Sequence, residues 1–246
     1  MIKSVEKALR LLEILSQSAD PMRLRDLAET AGMTRSNAVR MLQTLRDLGY
    51  VRQAEDGTRY ELTLRVFEIG ARKVAANTLV AAAHPVLQRL SEKVPEHVML
   101  SVREGLHSVV IDRIESRAFV RTFAYLGARS PLHVVSAGKL LLAHAPTEVI
   151  AEMSRNLGRF TDATITDPDR LLAELALIRA QGYATAIHEI NEAASGVAAP
   201  VRSRHGDVVA AISISGPLED LGEATIPRYA ALARDHAAMI EQGWSG

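Results

Sequence analysis

No cysteine occurs anywhere in the 246 residues. That excludes disulfides and thiolate chemistry and makes a reducing compartment the expectation. Long apolar runs are missing as well. The richest, Leu140-Leu141-Leu142-Ala143, is far too short to span a bilayer. Met1-Ile2-Lys3 leads straight into an amphipathic pattern without the apolar core of a signal peptide, so a cytoplasmic chain with no membrane partner is expected. Eight histidines are scattered, with no H-x-x-x-H or H-E-x-x-H spacing. The nearest two, His97 and His107, begin separate expected strands, so neither metal nor other cofactor is implied. There is no internal repeat or low-complexity tract, and the formal net charge is zero.

What is present is an ordinary globular composition, 48% hydrophobic and 24% charged, long enough for two domains. Charge is uneven. Residues 1–80 carry 13 Lys+Arg against 10 Asp+Glu, and residues 81–246 carry 16 against 19. A basic first third favours phosphate, and a mildly acidic remainder disfavours spreading on nucleic acid.

Hydrophobic spacing predicts a first helix over Ser4–Gln17 carrying Val5, Ala8, Leu9, Leu12 and Leu15, with Ser4 as its cap. Leu24, Leu27, Ala28 and Ala31 form the stripe of a second helix closed by Gly32, and Thr34 caps a third. So short a turn makes the two cross steeply, as in a helix-turn-helix. Ala38, Met41, Leu42, Leu45 and Leu48 face inward, leaving Arg35, Ser36, Asn37 and Arg40 outward near the N-terminus. That end of a recognition helix reaches base edges, where Arg pairs with guanine and Asn with adenine. Any polar helix face would look similar, but Tyr50–Gln53 and Arg59–Leu62 flank Asp56-Gly57, a two-residue hairpin signal. A hairpin there makes the unit a winged helix, with Arg52 and Arg59 on the wing for phosphate or minor groove.

Leu64–Asn77 predicts a linker helix whose surplus apolar surface would pack on its copy in a dimer. A further helix spans Leu79–Lys93, restarted at Pro85. The expected domains are 1–63, 64–78 and 79–246. After Pro95, strands are expected over His97–Arg103, His107–Glu115, Phe119–Leu126, Tyr183–Glu189, Val197–Arg202 and Val208–Ser215. Helices are expected over Ser136–His144, Thr147–Asn156, Pro168–Gln181 (capped by Asp167) and about Pro227–Glu241. The fold class is α+β, with helices flanking a mainly antiparallel sheet.

A ligand site is also expected. The strand period of two puts Val209, Ala211, Ser213 and Ser215 on one face of Val208–Ser215, where small groups and hydroxyls suit a cavity. Ser136-Ala137-Gly138 opens a helix whose free N–H groups favour an anion. Ser213 and Ser215 could instead bond neighbouring backbone, and Lys139 reads as a structural or ion-pair residue.

Three stretches together resemble the IclR family of transcription regulators (the isocitrate lyase regulator type). They are SVEKALRLLEIL with RSNAVRMLQTLRDLGYV and the wing; GARSPLHVVSAGKLLLA; and GVAAPV followed by DVVAAISISGP. The resemblance implies an N-terminal winged helix-turn-helix, a linker helix and a C-terminal GAF-like effector-binding domain. It further implies dimers, or dimers of dimers, on pseudo-palindromic double-stranded operator DNA, repressing or activating under a small-molecule effector, commonly an organic or aromatic acid. It points to Ser136, Ala137, Gly196, Ser213 and Ser215 as effector contacts, and more loosely to Thr122, Ala186 and His188. Two positions depart from the pattern. Arg23 stands where a small hydroxyl residue commonly caps the second helix, and Gly196 stands where many members carry a pocket cysteine. Two other readings compete. One is a ligand-independent DNA binder whose large domain only oligomerises. The other is a serine acyl-transfer enzyme, since Ser136–Lys139 fits S-x-x-K, but the companion S-D-N and K-T-G triplets are absent.

Overall fold

The computed structural model describes residues 2–75, 78–115, 125–217, 221–222 and 224–244. The chain divides into two compact units, residues 1–76 and 77–246.

In the first unit, α1 (Lys3–Ser16), α2 (Leu24–Thr30) and α3 (Arg35–Asp47) pack around Leu11, Leu15, Leu27, Leu42 and Leu45. Ser4 lies inside α1 rather than capping it; the cap position is Ile2, without a side-chain bond. The buried edge of α1 is Leu11 and Leu15, whereas Val5 and Leu9 are exposed. Leu48, expected inside, is 59% exposed because it sits at the C-cap of α3, where the helical stripe stops. Gly32 takes φ +63 after α2, and Thr34 Oγ1 accepts from Asn37 N–H at 3.4 Å as the cap of α3. Arg23 occupies the α2 cap position and supplies no side-chain bond there. The wing is β2 (Val51–Gln53) against β3 (Arg59–Leu62), with Gln53 opposite Tyr60. The turn is longer than two residues. Ala54 N–H bonds back to the Arg59 carbonyl, and Asp56 Oδ1 takes the Thr58 and Arg59 N–H groups. A two-residue strand β1 (Met22–Arg23), too short to carry a period, adds to the other edge of β3. Thr63 Oγ1 caps α4 (Arg65–Ala75) by accepting from Arg65 N–H at 3.1 Å.

The second unit is a six-stranded antiparallel sheet in the order β6-β5-β4-β9-β8-β7. Its strands are β4 (His97–Glu104), β5 (His107–Ile114), β6 (Arg129–Pro131), β7 (Ala184–Ile187), β8 (Ala194–Arg202) and β9 (Val208–Pro217). The β4–β5 and β8–β9 hairpins are the ones that Glu104-Gly105 and His205-Gly206 mark. The strand expected at Phe119–Leu126 lies mostly outside the described residues, and its last two, Tyr125 and Leu126, form no strand.

Alternation along the strands sorts two cores. Val98, Leu100, Val197, Ala199, Ile212 and Ile214 meet α5 (Thr78–Ser91), which runs on through Pro85, and α9 (Ile226–Gly243). Ala184, Ala198 and Ala211 on the opposite face meet α6 (Ser136–Ala143), α7 (Thr147–Ser154) and α8 (Pro168–Gln181). Asp167 caps α8 by accepting from Arg170 N–H at 2.8 Å. A register shift between Leu100 and Ser101 breaks the alternation of β5. It turns Asp112 toward His84 Nδ1 of α5, 2.9 Å away, while Val110 lines the space under α6. The class is α+β, a helical unit followed by a mixed unit on an antiparallel sheet. No helix among the described residues is long and apolar enough to cross a membrane.

Candidate functional site: an outward helix face and a cavity

On α3, Arg35, Ser36 and Arg40 are exposed and Asn37 is half-buried. Among the described residues no hydrogen bond or ion pair engages the Arg35 or Arg40 side chain. The helix is steered from its other end. Arg46 gives Nη1 to Gln53 Oε1 of β2 at 2.8 Å and Nη2 to Gln43 Oε1 at 2.6 Å, tying α3 to the wing. The wing arginines are less free than the sequence implies. Arg52 Nε pairs with Glu61 Oε1 at 2.8 Å, and Arg59 Nε with Asp56 Oδ2 at 2.6 Å. The Thr58 N–H and then the Arg59 guanidinium hold the Asp56 carboxyl far below the usual carboxylate range. Both pairs are exposed, so they orient the wing more than they stabilise it.

The second unit holds a half-open cavity of about 390 Å³, within the size range of small-molecule sites. Its sheet side is Met99 and Ser101 of β4, Ser108 and Val110 of β5, Ala186 of β7, Gly196 of β8, and Ser213 and Ser215 of β9. Ser136 and Ala137 of α6 cover it, and Glu189–Asn191 close one side. Packing is tight around the start of α6. A Cβ on Gly138 would lie 2.5 Å from the Leu132 carbonyl oxygen, so glycine is required there, whereas one on Gly196 would lie 2.9 Å from Ser136 Oγ, a hydroxyl that can turn aside. The Val135 carbonyl accepts from Lys139 N–H at 2.9 Å, leaving the Ser136, Ala137 and Gly138 N–H groups without acceptors inside the helix.

Six of the effector residues named from the sequence line this cavity: Ser136, Ala137, Ala186, Gly196, Ser213 and Ser215. His188 does not. It lies beyond the end of β7 with φ +58, and its Nδ1 turns to the Glu192 carbonyl, so the face it was expected to share with Ala186 is broken by left-handed backbone. Thr122 lies outside the described residues. Ser215 Oγ donates to the Ser195 carbonyl at 3.1 Å, whereas Ser213 Oγ is buried without a partner. Sequence reasoning missed Ser195 Oγ and Glu189 Oε2, also buried and unpartnered. Their only signal was an acid just after β7 and a serine at the start of β8.

Lys139 is 2% exposed and gives Nζ to Glu189 Oε1 at 2.6 Å and Glu174 Oε1 at 2.8 Å. Its hydrogen bonds go to carboxylates and not to Ser136, so S-x-x-K here builds an ion cluster. Burial raises the Glu189 carboxyl above its ordinary value, against the pull of Lys139. Nearby, burial lowers His133 against the opposing Gly158 carbonyl, and lowers His144 with help from Arg202 and Arg179. Among the described residues no group of three acidic or histidine side chains could hold a metal ion.

Comparison with known proteins supplies the frame for both sites. Residues 4–55 match the IclR helix-turn-helix domain, and residues 71–242 match the bacterial transcriptional regulator IclR C-terminal domain. The chain is 32% identical to the HTH-type transcriptional regulator KdgR of Escherichia coli K12, over 97% of this chain and 91% of that protein. It is 28% identical to the transcriptional repressor IclR of the same organism, over 100% and 91%. Among solved structures, an IclR homologue from Microbacterium hydrocarbonoxydans complexed with 4-hydroxybenzoate superposes with a TM-score of 0.84. The two are 30% identical, with 98% of each chain covered. The Thermotoga maritima IclR superposes at 0.79 with 27% identity, covering 99% of this chain and 100% of that one. With both parts of the chain matched in order, the protein belongs to the IclR family of transcriptional regulators.

Proposed function

We propose that the protein is an effector-controlled transcription regulator that binds pseudo-palindromic operator DNA in the cytoplasm, as a dimer or dimer of dimers. In this reading Arg35, Ser36, Asn37 and Arg40 enter the major groove. Arg52 and Arg59 meet the flanking backbone through the guanidinium nitrogens that Glu61 and Asp56 leave over. Self-association is supported by the apolar surface on α1, on α4 and at the start of α4: Val5, Leu9, Leu64, Phe67 and Ile69 are each more than half exposed. A soluble monomer scatters such residues rather than clustering them on two helices.

The effector is an organic or aromatic acid held in the second-unit cavity. One observation carries this. Ser213 Oγ, Ser195 Oγ and Glu189 Oε2, all buried without partners, belong to residues lining a single cavity. Each such group costs roughly 1–3 kcal/mol when left unpaired, and a polar ligand removes that cost. The α6 N–H groups and Ser213 would take the carboxylate, and the 4-hydroxybenzoate in the related structure is a ligand of this kind. The test is Ser213→Ala. Aromatic acids should raise the melting temperature of the wild type, and that shift should disappear in the variant while DNA retention persists. An unchanged ligand response would refute the pocket assignment.

A further inference from the structure

Among the described residues Glu189 is the acidic side chain in the cavity lining, and several neighbours hold it. His188 at φ +58 takes Glu189 out of the strand alternation. Thr161 Oγ1 donates to the His188 carbonyl at 2.6 Å, and Thr164 Oγ1 to the Glu189 carbonyl at 2.7 Å, so the turn at 160–165 pins the backbone. Lys139 fixes the carboxylate through Oε1. The residue is only 8% exposed; the Ile187 N–H lies near enough to favour the carboxylate, but Oε2 has no hydrogen bond of ordinary geometry.

Pairing Lys139 does not explain that second oxygen. Oε1 already serves the ammonium, and Glu174 supplies a second carboxylate to the same Nζ. Glu189 lines the cavity together with Met99, Val110, Val134 and Ile190, and a buried unpaired oxygen on it is a cost unless something donates to it. With one cation and two carboxylates the cluster leans negative, so it repels the acid group of a ligand and attracts a donor. A ligand ammonium would face Lys139 across a single carboxylate. A neutral hydroxyl would not. Burial pushes the Glu189 carboxyl up, against the pull of Lys139, as expected of a group held away from water.

We propose that Glu189 is the specificity-determining contact of the site, its free Oε2 accepting the O–H of a hydroxylated acid whose carboxylate lies at the α6 N-terminus and Ser213. This rests on the acid-binding reading of the cavity. Sites built to hydrogen-bond a hydroxyl discriminate strongly against analogues lacking it, because the buried partner is then left unpaired.

The test is calorimetric titration of the full chain with matched probes: benzoate against 3- and 4-hydroxybenzoate, and butyrate against 3-hydroxybutyrate. The wild type should prefer a hydroxylated acid by at least about tenfold in one set. In Glu189→Gln, which keeps the shape and an oxygen for Lys139, that preference should fall to within about threefold. Glu189→Asp, which keeps the charge but withdraws the oxygen by one methylene, should lose it likewise and covers the case in which the glutamine variant does not fold. Equal wild-type binding of plain and hydroxylated acids overturns the role of Glu189 and leaves the cavity as an acid site. So does a preference that survives in either variant. Failure of every probe to bind the wild type overturns the acid-binding reading together with it.

Discussion

The outward face of α3 and the cavity under α6 both present polar atoms that the chain itself does not use, yet they mean different things. Arg35, Ser36 and Arg40 are exposed, so water satisfies them at all times and nothing in their energetics demands a partner. Ser195, Ser213 and Glu189 are 3%, 2% and 8% exposed, and their unpaired atoms are cut off from bulk water. A buried site therefore declares itself through its cost, whereas an exposed one acquires meaning only from its frame. For α3 that frame is the Thr34 cap, the wing and the Arg46 tether.

Substitutions that strike one region and spare the other break the comparison most clearly. Gly138→Ala should have the largest effect. Its methyl would drive into the Leu132 backbone, costing about 3 kcal/mol by overpacking. Calorimetry of the full chain should then show earlier unfolding of residues 77–246 and no effector response, with the first unit unchanged. An unaltered transition would show that Leu132 yields freely. Arg40→Ala should weaken operator binding by about 2 kcal/mol at fixed salt and leave effector affinity alone, as titrations of DNA and acid on one preparation would reveal. The smallest effect is on pH dependence. His133 and His144 are lowered by the fold, so below about pH 6.5 the unfolded chain binds protons that the folded one refuses. Their contribution to stability is therefore lost as pH falls from neutrality toward 5. Urea midpoints of wild type against the His133→Asn, His144→Asn double variant should converge across that window; parallel curves would refute it.

How much was legible in the sequence follows from the range of the forces involved. The Thr34 and Asp167 caps, the β4–β5 and β8–β9 hairpins, and the cavity face of β9 depend on residues a few positions apart, and each could be read directly. Leu48 could not, because helix α3 ends at Asp47 and its stripe ends with it. Val5 and Leu9 repeat at helical spacing but face away from the Leu11–Leu15 edge. Ser101 and Ser108 reach the cavity only because β4 and β5 pair around a register shift. Glu189 escaped for two reasons. A left-handed residue precedes it, and the Lys139 that marks it lies fifty positions earlier. The tight packing at Gly138 likewise requires knowing where Leu132 passes.

β9 itself has a mechanical consequence. Its odd residues, Ser213 and Ser215, form a wall of the cavity; its even residues, Ile212 and Ile214, are 0% exposed against the α5–α9 core. One strand is thus a party wall between two rooms, one hollow and one full. A packed interior has no slack in which a small shift can be lost. An occupant that presses on the serine side must move isoleucines on the other, and the helices leaning on them feel the load.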